Sequence, residues 1–367
     1  GDYQYYLEKS GSSSARAALV SPGNAQSLSN HQPHQATSVT STQPKMGLKE
    51  IKAQRKADGW LVTLSTGNDL RVLHVKAIVN AAGPWVQDVA NNILNIETQH
   101  KIKLVKGSHI IVPKLFTHYE AFILQNKDGR VVFLIPYHND FTLIGTTDIL
   151  LDVIEQPLTV SDAEIIYLCQ ITNEFIQGHI TSKDVLFKYA GIRPLHDDNN
   201  GQVSKNTRDY VLDINEDVSS APVISIFGGK ITTYRNLAEH VCEQLRKYFP
   251  KLGKSWTKRA YLPGGYFLNN DLAGFREYLI AAYPSLPVPL LIHYVNNYGT
   301  RCADILRDIH GPADLGQHFG ALLYQVEVDF LVENEWARSA EDILWRRGKM
   351  GLWFNASQTK HLDSYLN

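Results

Sequence analysis

The sequence is poor in the features that define several protein classes. Its 367 residues include three cysteines, and these lie far apart at Cys169, Cys242 and Cys302. An odd number of widely spaced cysteines supports neither a disulfide framework nor a paired-cysteine zinc site, so we expect buried, reduced thiols. The fourteen histidines form no H-E-x-x-H motif, and we predict no metal site.

Charge and hydropathy exclude further classes. Lysine and arginine number 36 against 37 aspartates and glutamates, so we expect no basic face and no nucleic-acid partner. The sequence has no apolar run of about 18 residues and no charged-then-apolar leader, which predicts neither a membrane span nor a secretory signal in these residues. A peripheral membrane contact stays open. With 44% hydrophobic residues, the chain can bury a large core and divide into two or more domains.

A pair of glycines joins a predicted strand to a predicted helix late in the chain. Residues 223–227, Val-Ile-Ser-Ile-Phe, are typical of a buried strand, and Gly228, Gly229 and Lys230 follow them. Glycine lets the main chain approach a ligand closely, and a helix N-terminus carries about half a positive charge. We therefore predict that this turn binds an electron-rich or anionic ligand, with a plain structural turn as the alternative.

A second junction of this kind lies upstream. Residues 76–80 end a predicted strand, and the small residues Ala81, Ala82 and Gly83 lead to Pro84, which suits the first turn of a helix. Three further segments with cationic or imidazole side chains lie between the junctions: Lys106-Gly107-Ser108-His109, Gly191-Ile192-Arg193-Pro194-Leu195 and Thr207-Arg208-Asp209-Tyr210. Together the five segments indicate one site that handles an anion.

These five segments, in this order, resemble those of the FAD-dependent glycerol-3-phosphate dehydrogenases, the quinone-linked enzymes of glycerol catabolism. The resemblance runs from about residue 59 to the C-terminus and includes Ile144-Gly145-Thr146-Thr147-Asp148 and residues 336–347. It implies a mixed α+β and α/β fold, namely an incomplete FAD/NAD(P)-binding flavoprotein fold with an antiparallel substrate-domain sheet and a C-terminal all-α domain. The sequence departs from the family pattern because it has no G-x-G-x-x-G, so we expect a truncated member that lacks the βαβ unit for the FAD pyrophosphate.

Composition and resemblance together divide the chain into five parts. Residues 1–46 are rich in Ser, Gln, His and Pro, which predicts a low-complexity or disordered remnant. We expect the remaining parts to be a partial FAD-binding domain over 47–100, a substrate-binding domain over 101–212, the last FAD-binding segment over 213–250 and the helical domain over 251–367.

Local patterns predict the elements within these parts. Strand patterns occur at 60–64, 71–79, 104–113, 121–125, 131–136, 141–145 and 187–192, the last with Arg193 at its exit. Ser161 and Glu164 have the spacing of a capping box, which predicts a helix over 162–177. Further helices are predicted over 233–248, 271–283, 290–298, 303–309, 319–333 and 340–347.

The resemblance implies oxidation of sn-glycerol 3-phosphate to dihydroxyacetone phosphate by hydride transfer from C2 to FAD, with electrons then passed to a quinone. Arg193 is our candidate for the phosphate, with Arg208 second, because a planar guanidinium binds phosphate through two parallel hydrogen bonds. His109 is the candidate base or hydrogen-bond partner, since imidazole titrates near neutral pH. Lys230 is expected at the flavin edge or the substrate.

The remaining site residues are assigned by their place in the matched segments. We expect Thr147 and Asp148 on the substrate side, with an ordinary loop after a strand as the alternative, and the following residues at the cofactor: Gly83, Gly228, Gly229, Thr232 and Thr233. The structural alternatives are a surface ion pair for Arg193, a core histidine bonded to a backbone carbonyl for His109, and a helix-terminal lysine snorkelling to solvent for Lys230.

Three classes of function stay open at this stage. The first is the flavoenzyme, expected in the cytoplasm or peripherally on the cytoplasmic face of the inner membrane, with a homodimer as its implied assembly. The second is an inactive remnant that serves only as a folded interaction module. The third is a glycerophosphate oxidase or an amine-oxidising flavoprotein. Arg193 and Arg208 argue against an amine substrate, because a phosphate needs cations that a small amine does not.

Overall fold

The computed structural model describes residues 51–66, 69–154, 157–197, 209–216 and 220–367. These residues fall into two compact units, 51–255 and 256–367. None of the helices in the described ranges combines the length and apolarity that a membrane span requires.

Three antiparallel strands open the first unit. Strands β1 (Ile51–Lys56), β2 (Gly59–Thr66) and β3 (Asp69–Val75) pair in that order. Trp60 at the start of β2 is fully buried, and its indole Nε1 donates to the carbonyl oxygen of Ala221 at 3.3 Å. The predicted hairpin is present, but its second strand ends at Val75 because the chain then crosses into another sheet.

That second sheet contains the parallel pair of the unit. Strand β4 (Ile78–Asn80) pairs in parallel with β12 (Val223–Gly228), whose other edge pairs with β11 (Tyr210–Asn215) in antiparallel fashion. Residues Val223 to Phe227 are all buried, which confirms the predicted buried strand. Helix α3 (Tyr234–Leu245) follows and packs Val241 against Ile224 and Ile226.

The chain leaves β4 through a short helical segment. It consists of a 3-10 turn (Gly83–Trp85), helix α1 (Val86–Asp88) and a π-helical turn (Val89–Ile93). Pro84 lies in the first turn, as predicted from its fixed φ.

A six-stranded antiparallel sheet forms the middle of the first unit. Its strands are β5 (Ile102–Pro113), β6 (Phe122–Gln125), β7 (Val131–Tyr137), β8 (Phe141–Gly145), β9 (Ile149–Leu151) and β10 (Phe187–His196). The order is β10-β5-β8-β7-β6, with β9 also paired to β5. Helix α2 (Asp162–Phe175) covers one face, where Ile110, Leu134 and Ile144 pack against Leu168. The opposite face of the sheet is the more exposed one.

Strand β10 is longer than predicted. It continues to His196, so Arg193 lies within the strand. The prediction that Arg193 lies at the exit of the strand is therefore wrong. Pro194 is tolerated because β10 is the edge strand of the sheet and pairs only with β5 in it. Arg193 therefore lies directly opposite Val105 in a regular ladder.

The capping box of helix α2 is confirmed. Ser161 Oγ accepts from the Glu164 backbone nitrogen at 3.3 Å, and Glu164 Oε2 accepts from the Ser161 backbone nitrogen at 2.9 Å. The helix ends at Phe175, two residues before the predicted end at residue 177.

The second unit is largely helical. Its α-helices are α4 (Leu272–Ala282), α5 (Val288–Tyr298), α6 (Cys302–Ile305), α7 (Gln325–Asn334) and α8 (Ala356–Leu366), with a π-helical turn at Asp342–Arg347. One large hydrophobic core includes Leu290, Tyr294, Leu306 and Phe319.

The second unit also contains a hairpin where the sequence predicted the start of a helix. Strands β13 (His318–Gly320) and β14 (Leu323–Tyr324) replace the first turns of the predicted helix over 319–333. Positive φ at Gly320 and Ala321 makes the tight reversal. The described part of this unit is thus helical with one short two-stranded sheet, where the sequence predicted helices throughout.

Short 3-10 turns connect the remaining segments. They lie at Ser182–Asp184, Ile231–Thr233, Thr257–Arg259, Leu268–Asn270, Gly299–Arg301, Pro312–Leu315 and Met350–Leu352.

The burial of the cysteines agrees only in part with the prediction. Cys169 and Cys302 are buried thiols, whereas Cys242 is exposed, so the prediction of burial is wrong for Cys242. Cys242 follows the buried Val241 on α3, and only one face of that amphipathic helix packs against the sheet.

We predict that Ser161→Ala lowers the free energy of unfolding by about 1 kcal/mol, because the first turn of α2 loses its side-chain acceptor. Urea unfolding followed by circular dichroism measures the change. Ser161→Thr keeps a hydroxyl at the cap and is the matched control. Equal stability of the alanine and threonine variants would contradict the capping role.

Candidate active site

The open face of the six-stranded sheet carries the predicted histidine. His109 on β5 lies opposite Gly145 of β8 on one side and Tyr189 of β10 on the other. Its ring stacks on Tyr189, with ring centroids 5.0 Å apart and an interplanar angle of 6°. A Cβ at residue 145 would overlap the imidazole, so only glycine leaves room for the ring there.

One nitrogen of the His109 ring has no hydrogen-bond partner in the described structure. Its Nδ1 is buried and has no hydrogen-bond partner among the described residues, which goes against the alternative of a core histidine bonded to a carbonyl. Burial first, and the positive charge of Arg193 second, hold the pKa of His109 below its usual value of 6.5. The ring is therefore neutral at pH 7 and can accept a proton.

Arg193 lies close to the loop that follows β8. Its Nη2 donates to the Thr147 carbonyl oxygen at 2.9 Å and to Asp148 Oδ1 at 2.5 Å, and Thr146 Oγ1 lies 3.4 Å away. The side chain is 36% exposed. Nε and Nη1 make no hydrogen bond to the described residues, so one edge of the guanidinium can receive an anion. The ion pair that was the structural alternative for Arg193 is thus present, but it uses only Nη2 of the guanidinium.

Thr147 is tied to the sheet by a buried network. Its hydroxyl accepts from the Ser108 backbone nitrogen at 3.0 Å and donates to Glu164 Oε1 at 3.0 Å. Ser108 Oγ donates to the same oxygen at 2.6 Å, and Lys106 Nζ lies 2.7 Å from Glu164 Oε2. Burial by itself would raise the pKa of Glu164, but hydrogen bonds from Lys106, Ser108 and Ser161 outweigh it and lower the pKa to about 2.

The predicted cofactor glycines follow the two parallel strands. Gly83 has φ +57° and comes three residues after Asn80, while Gly228 (φ +77°) and Gly229 (φ +98°) come three and four residues after Ser225. Asn80 and Ser225 are paired neighbours, so both turns lie at the same edge of the sheet. That edge is where open α/β sheets bind their ligands.

Asn80 fixes the first of these turns. Its Nδ2 donates to the Val86 carbonyl oxygen at 2.8 Å and to Ser225 Oγ at 3.2 Å, and its Oδ1 accepts from the Ala82 backbone nitrogen at 3.4 Å. This buried amide joins β4, β12 and the Gly83 turn in one network.

The second turn leads to exposed donors. Lys230 precedes the 3-10 turn Ile231–Thr233, and its carbonyl oxygen accepts from the Thr233 backbone nitrogen and hydroxyl, each at 3.0 Å. Lys230 and Thr232 are exposed. The Lys230 ammonium makes no contact with His109 or Arg193 in the described structure.

The sheet face and the glycine turns adjoin each other. Strand β10 lies beside β12 and the Gly83–Trp85 turn. A Cβ at Gly228 would lie 3.3 Å from the His196 backbone nitrogen, and His196 is three residues beyond Arg193. The structure therefore brings His109, Arg193 and Thr147 together, with Gly83, Gly228 and Gly229 on the neighbouring edge. Arg208 lies outside the described residues.

Sequence reasoning missed several residues of this site. Tyr189 and Asn80 had no assigned role, and Glu164 was expected only as a helix cap. The capping-box spacing indicated that Glu164 begins a helix. The contacts of Glu164 with β5 join residues far apart in the sequence, so no local pattern predicts them. No group of three or more histidine, cysteine, aspartate or glutamate side chains suited to a metal occurs in the described ranges.

Glycine turns at the carboxyl ends of parallel strands, beside a sheet face with a histidine and an arginine, define an α/β ligand site. Residues 45–235 match the FAD dependent oxidoreductase family, and residues 255–364 match the C-terminal domain of alpha-glycerophosphate oxidase. The chain belongs to the FAD dependent oxidoreductase family. This confirms the resemblance and the flavoprotein fold predicted from the sequence.

Individual relatives are similar over most of this chain. Glycerol-3-phosphate dehydrogenase of Pseudomonas aeruginosa is 42% identical over 317 residues, which are 86% of this chain and 62% of that protein. D-erythritol 1-phosphate dehydrogenase of Brucella abortus is 42% identical over 301 residues, which are 82% of this chain and 60% of that protein. The chain thus spans about three fifths of the length of the curated relatives it matches.

A solved structure shows the same fold. The glycerol-3-phosphate dehydrogenase from Bacillus halodurans, complexed with FAD, superposes with a TM-score of 0.68 at 25% sequence identity. The match covers 85% of this chain and 62% of that one.

We predict that Arg193→Gln raises the pKa of His109, because the variant removes the positive charge that disfavours imidazolium. The pKa stays below 6.5 in the variant, since burial of the ring is unchanged. Titration of histidine-labelled protein by NMR measures both values, with His109→Gln identifying the signal. A pKa that does not move would contradict the proximity of the two side chains.

Proposed function

We propose that the protein oxidises a phosphorylated polyol, with FAD as cofactor and glycerol 3-phosphate as substrate. One observation carries the proposal: the imidazole of His109 and the guanidinium of Arg193 share the open face of one sheet, and one edge of the guanidinium makes no hydrogen bond to a described residue. Similarity to glycerol-3-phosphate and D-erythritol 1-phosphate dehydrogenases supports it.

The two glycine turns fit the cofactor. In the described structure no heavy atom lies within 4 Å of the place that a Cβ of Gly83 would take, so its backbone is open to a ligand. The positive φ of Gly228 and Gly229 turns the main chain at the same edge, and Lys230 and Thr232 supply exposed donors after it. Thr233 is less suited to this role, because its backbone nitrogen and hydroxyl both donate to the Lys230 carbonyl oxygen. FAD, when bound, supplies the two-electron oxidation of the carbinol.

The chain's own residues account for substrate binding and proton removal. Arg193 binds the phosphate through its unoccupied edge, while Asp148 and the Thr147 carbonyl hold the opposite side of the guanidinium. His109 accepts the proton of the secondary hydroxyl, because its lowered pKa keeps it neutral at pH 7. Arg208, outside the described residues, is the second candidate cation.

The destination of the electrons rests on the family resemblance. We assign a quinone as acceptor and a peripheral position on the cytoplasmic face of the inner membrane, with a homodimer as the assembly. Reduction of a water-soluble quinone by the purified protein tests the acceptor, with molecular oxygen as the rival that an oxidase would use.

We predict that Arg193→Lys raises KM for glycerol 3-phosphate about tenfold or more, because a lysine ammonium cannot form the two parallel hydrogen bonds of a guanidinium. Steady-state kinetics with a dye as electron acceptor measures the change. Arg130→Lys is the matched control, since Arg130 is a partly exposed arginine paired with Asp128 in the turn between β6 and β7. Equal KM values for wild type and Arg193→Lys would remove Arg193 from the phosphate role.

D-erythritol 1-phosphate is the second candidate substrate, because a dehydrogenase named for it is 42% identical to this chain. The ratio of kcat/KM for the two phosphates decides between them. We expect glycerol 3-phosphate to be preferred. A preference for the four-carbon substrate would reassign the substrate and leave the phosphate and proton roles in place.

A further inference from the structure

Glu164 is a buried carboxylate that does more than cap its helix. It is 4% exposed and lies in the first turn of α2, on the covered side of the sheet. Its Oε1 accepts from Ser108 Oγ at 2.6 Å and from Thr147 Oγ1 at 3.0 Å. Its Oε2 pairs with Lys106 Nζ at 2.7 Å and closes the capping box with Ser161. One carboxylate therefore joins the helix, strand β5 and the loop after β8.

Thr147 connects the hydrogen bonds of Glu164 with Arg193 on the open face of the sheet. Thr147 is 1% exposed, and its hydroxyl is held between Glu164 and the Ser108 backbone nitrogen. The carbonyl oxygen of the same residue accepts from Arg193 Nη2 at 2.9 Å. The position of the guanidinium thus depends on a residue whose own side chain is fixed from behind the sheet.

Glycine at residue 107 keeps this arrangement compact. Gly107 lies between Lys106 and Ser108 on β5, and a Cβ there would overlap both the Arg193 guanidinium and Thr146 Oγ1. The guanidinium consequently lies directly over the strand whose neighbouring side chains bind Glu164.

We propose that Glu164 is a positioning residue that acts through Thr147 to hold the Arg193 guanidinium in place for the substrate phosphate. The inference rests on the proposed function for its substrate, and on the contacts above for its geometry. Because Arg193 binds the phosphate in the proposed function, a displaced guanidinium weakens substrate binding, and this raises KM. Because its pKa is about 2, Glu164 stays ionised across the working pH range.

The kinetic test compares Glu164→Gln with Ser161→Ala. The glutamine keeps the shape of the side chain and removes its charge. The alanine removes the helix cap and one hydrogen bond to Glu164 Oε2, but it leaves Oε1, which holds Thr147, in place. We expect Glu164→Gln to raise KM for glycerol 3-phosphate about tenfold with kcat changed less than about threefold, and Ser161→Ala to leave KM unchanged. Thr147→Val, which removes the hydroxyl between Glu164 and the loop, should raise KM in the same direction and serves if Glu164→Gln folds poorly.

A second measurement, the pKa of His109, detects movement of Arg193 in the absence of substrate. The charged and titratable side chains around His109 on the open face are Arg193 with its partner Asp148, and Tyr189 with its neighbour Tyr137. If Glu164→Gln releases Arg193, the pKa of His109 rises. Direct loss of a carboxylate charge would have the opposite sign, because it disfavours imidazolium. A rise therefore reports movement of Arg193.

The two measurements separate the outcomes. A higher KM and a higher pKa of His109 in Glu164→Gln, with neither in Ser161→Ala, is the expected result. If Glu164→Gln loses stability as Ser161→Ala does but keeps the KM and the pKa of wild type, Glu164 is merely structural and the proposal is overturned. If Arg193→Lys also fails to change KM, Arg193 does not bind the phosphate and that part of the proposed function is wrong. The His109 titration then still decides whether Glu164 positions Arg193.

Discussion

Strand β5 places consecutive side chains on opposite faces of the sheet, and the site depends on that alternation. Ser108 and Ile110 point to the covered face, where they meet Glu164 and the hydrophobic core under α2, while His109 points to the open face. A shift of one residue in the register would exchange these faces and bury the imidazole in the core. Core residues of β5, β7 and β8, among them Ile110, Leu134 and Ile144, oppose the shift, because it would move their side chains away from α2.

The two faces of the sheet differ in the charged groups that they carry. The covered face holds an ionised carboxylate in hydrogen bonds, and a buried charge is stable only when it is paired in this way. The open face keeps a neutral imidazole and a guanidinium whose unoccupied edge suits an anion. The glycine turns lie at the edge of the neighbouring sheet, beside β10.

Local features were predictable from the sequence, and long-range ones were not. The capping box at Ser161 and Glu164, the buried strand before Gly228 and the helical turn at Pro84 depend on residues within a few positions of one another, and all three were predicted. The extension of β10 past Arg193 depends on its pairing with β5, and the hairpin at residues 318–324 depends on positive φ at Gly320 and Ala321. Neither the longer strand nor the hairpin follows from the hydrophobic periodicity of the sequence. The contact between Glu164 and Ser108 spans 56 residues and could not be found without the fold.

The most direct test of the account is a crystal structure of the protein with glycerol 3-phosphate bound. We expect the phosphate within hydrogen-bond distance of Nε and Nη1 of Arg193, and the C2 hydroxyl within hydrogen-bond distance of the His109 ring. A substrate bound with its phosphate away from Arg193, or on the covered face of the sheet, would contradict the central claim that this open face is the catalytic surface.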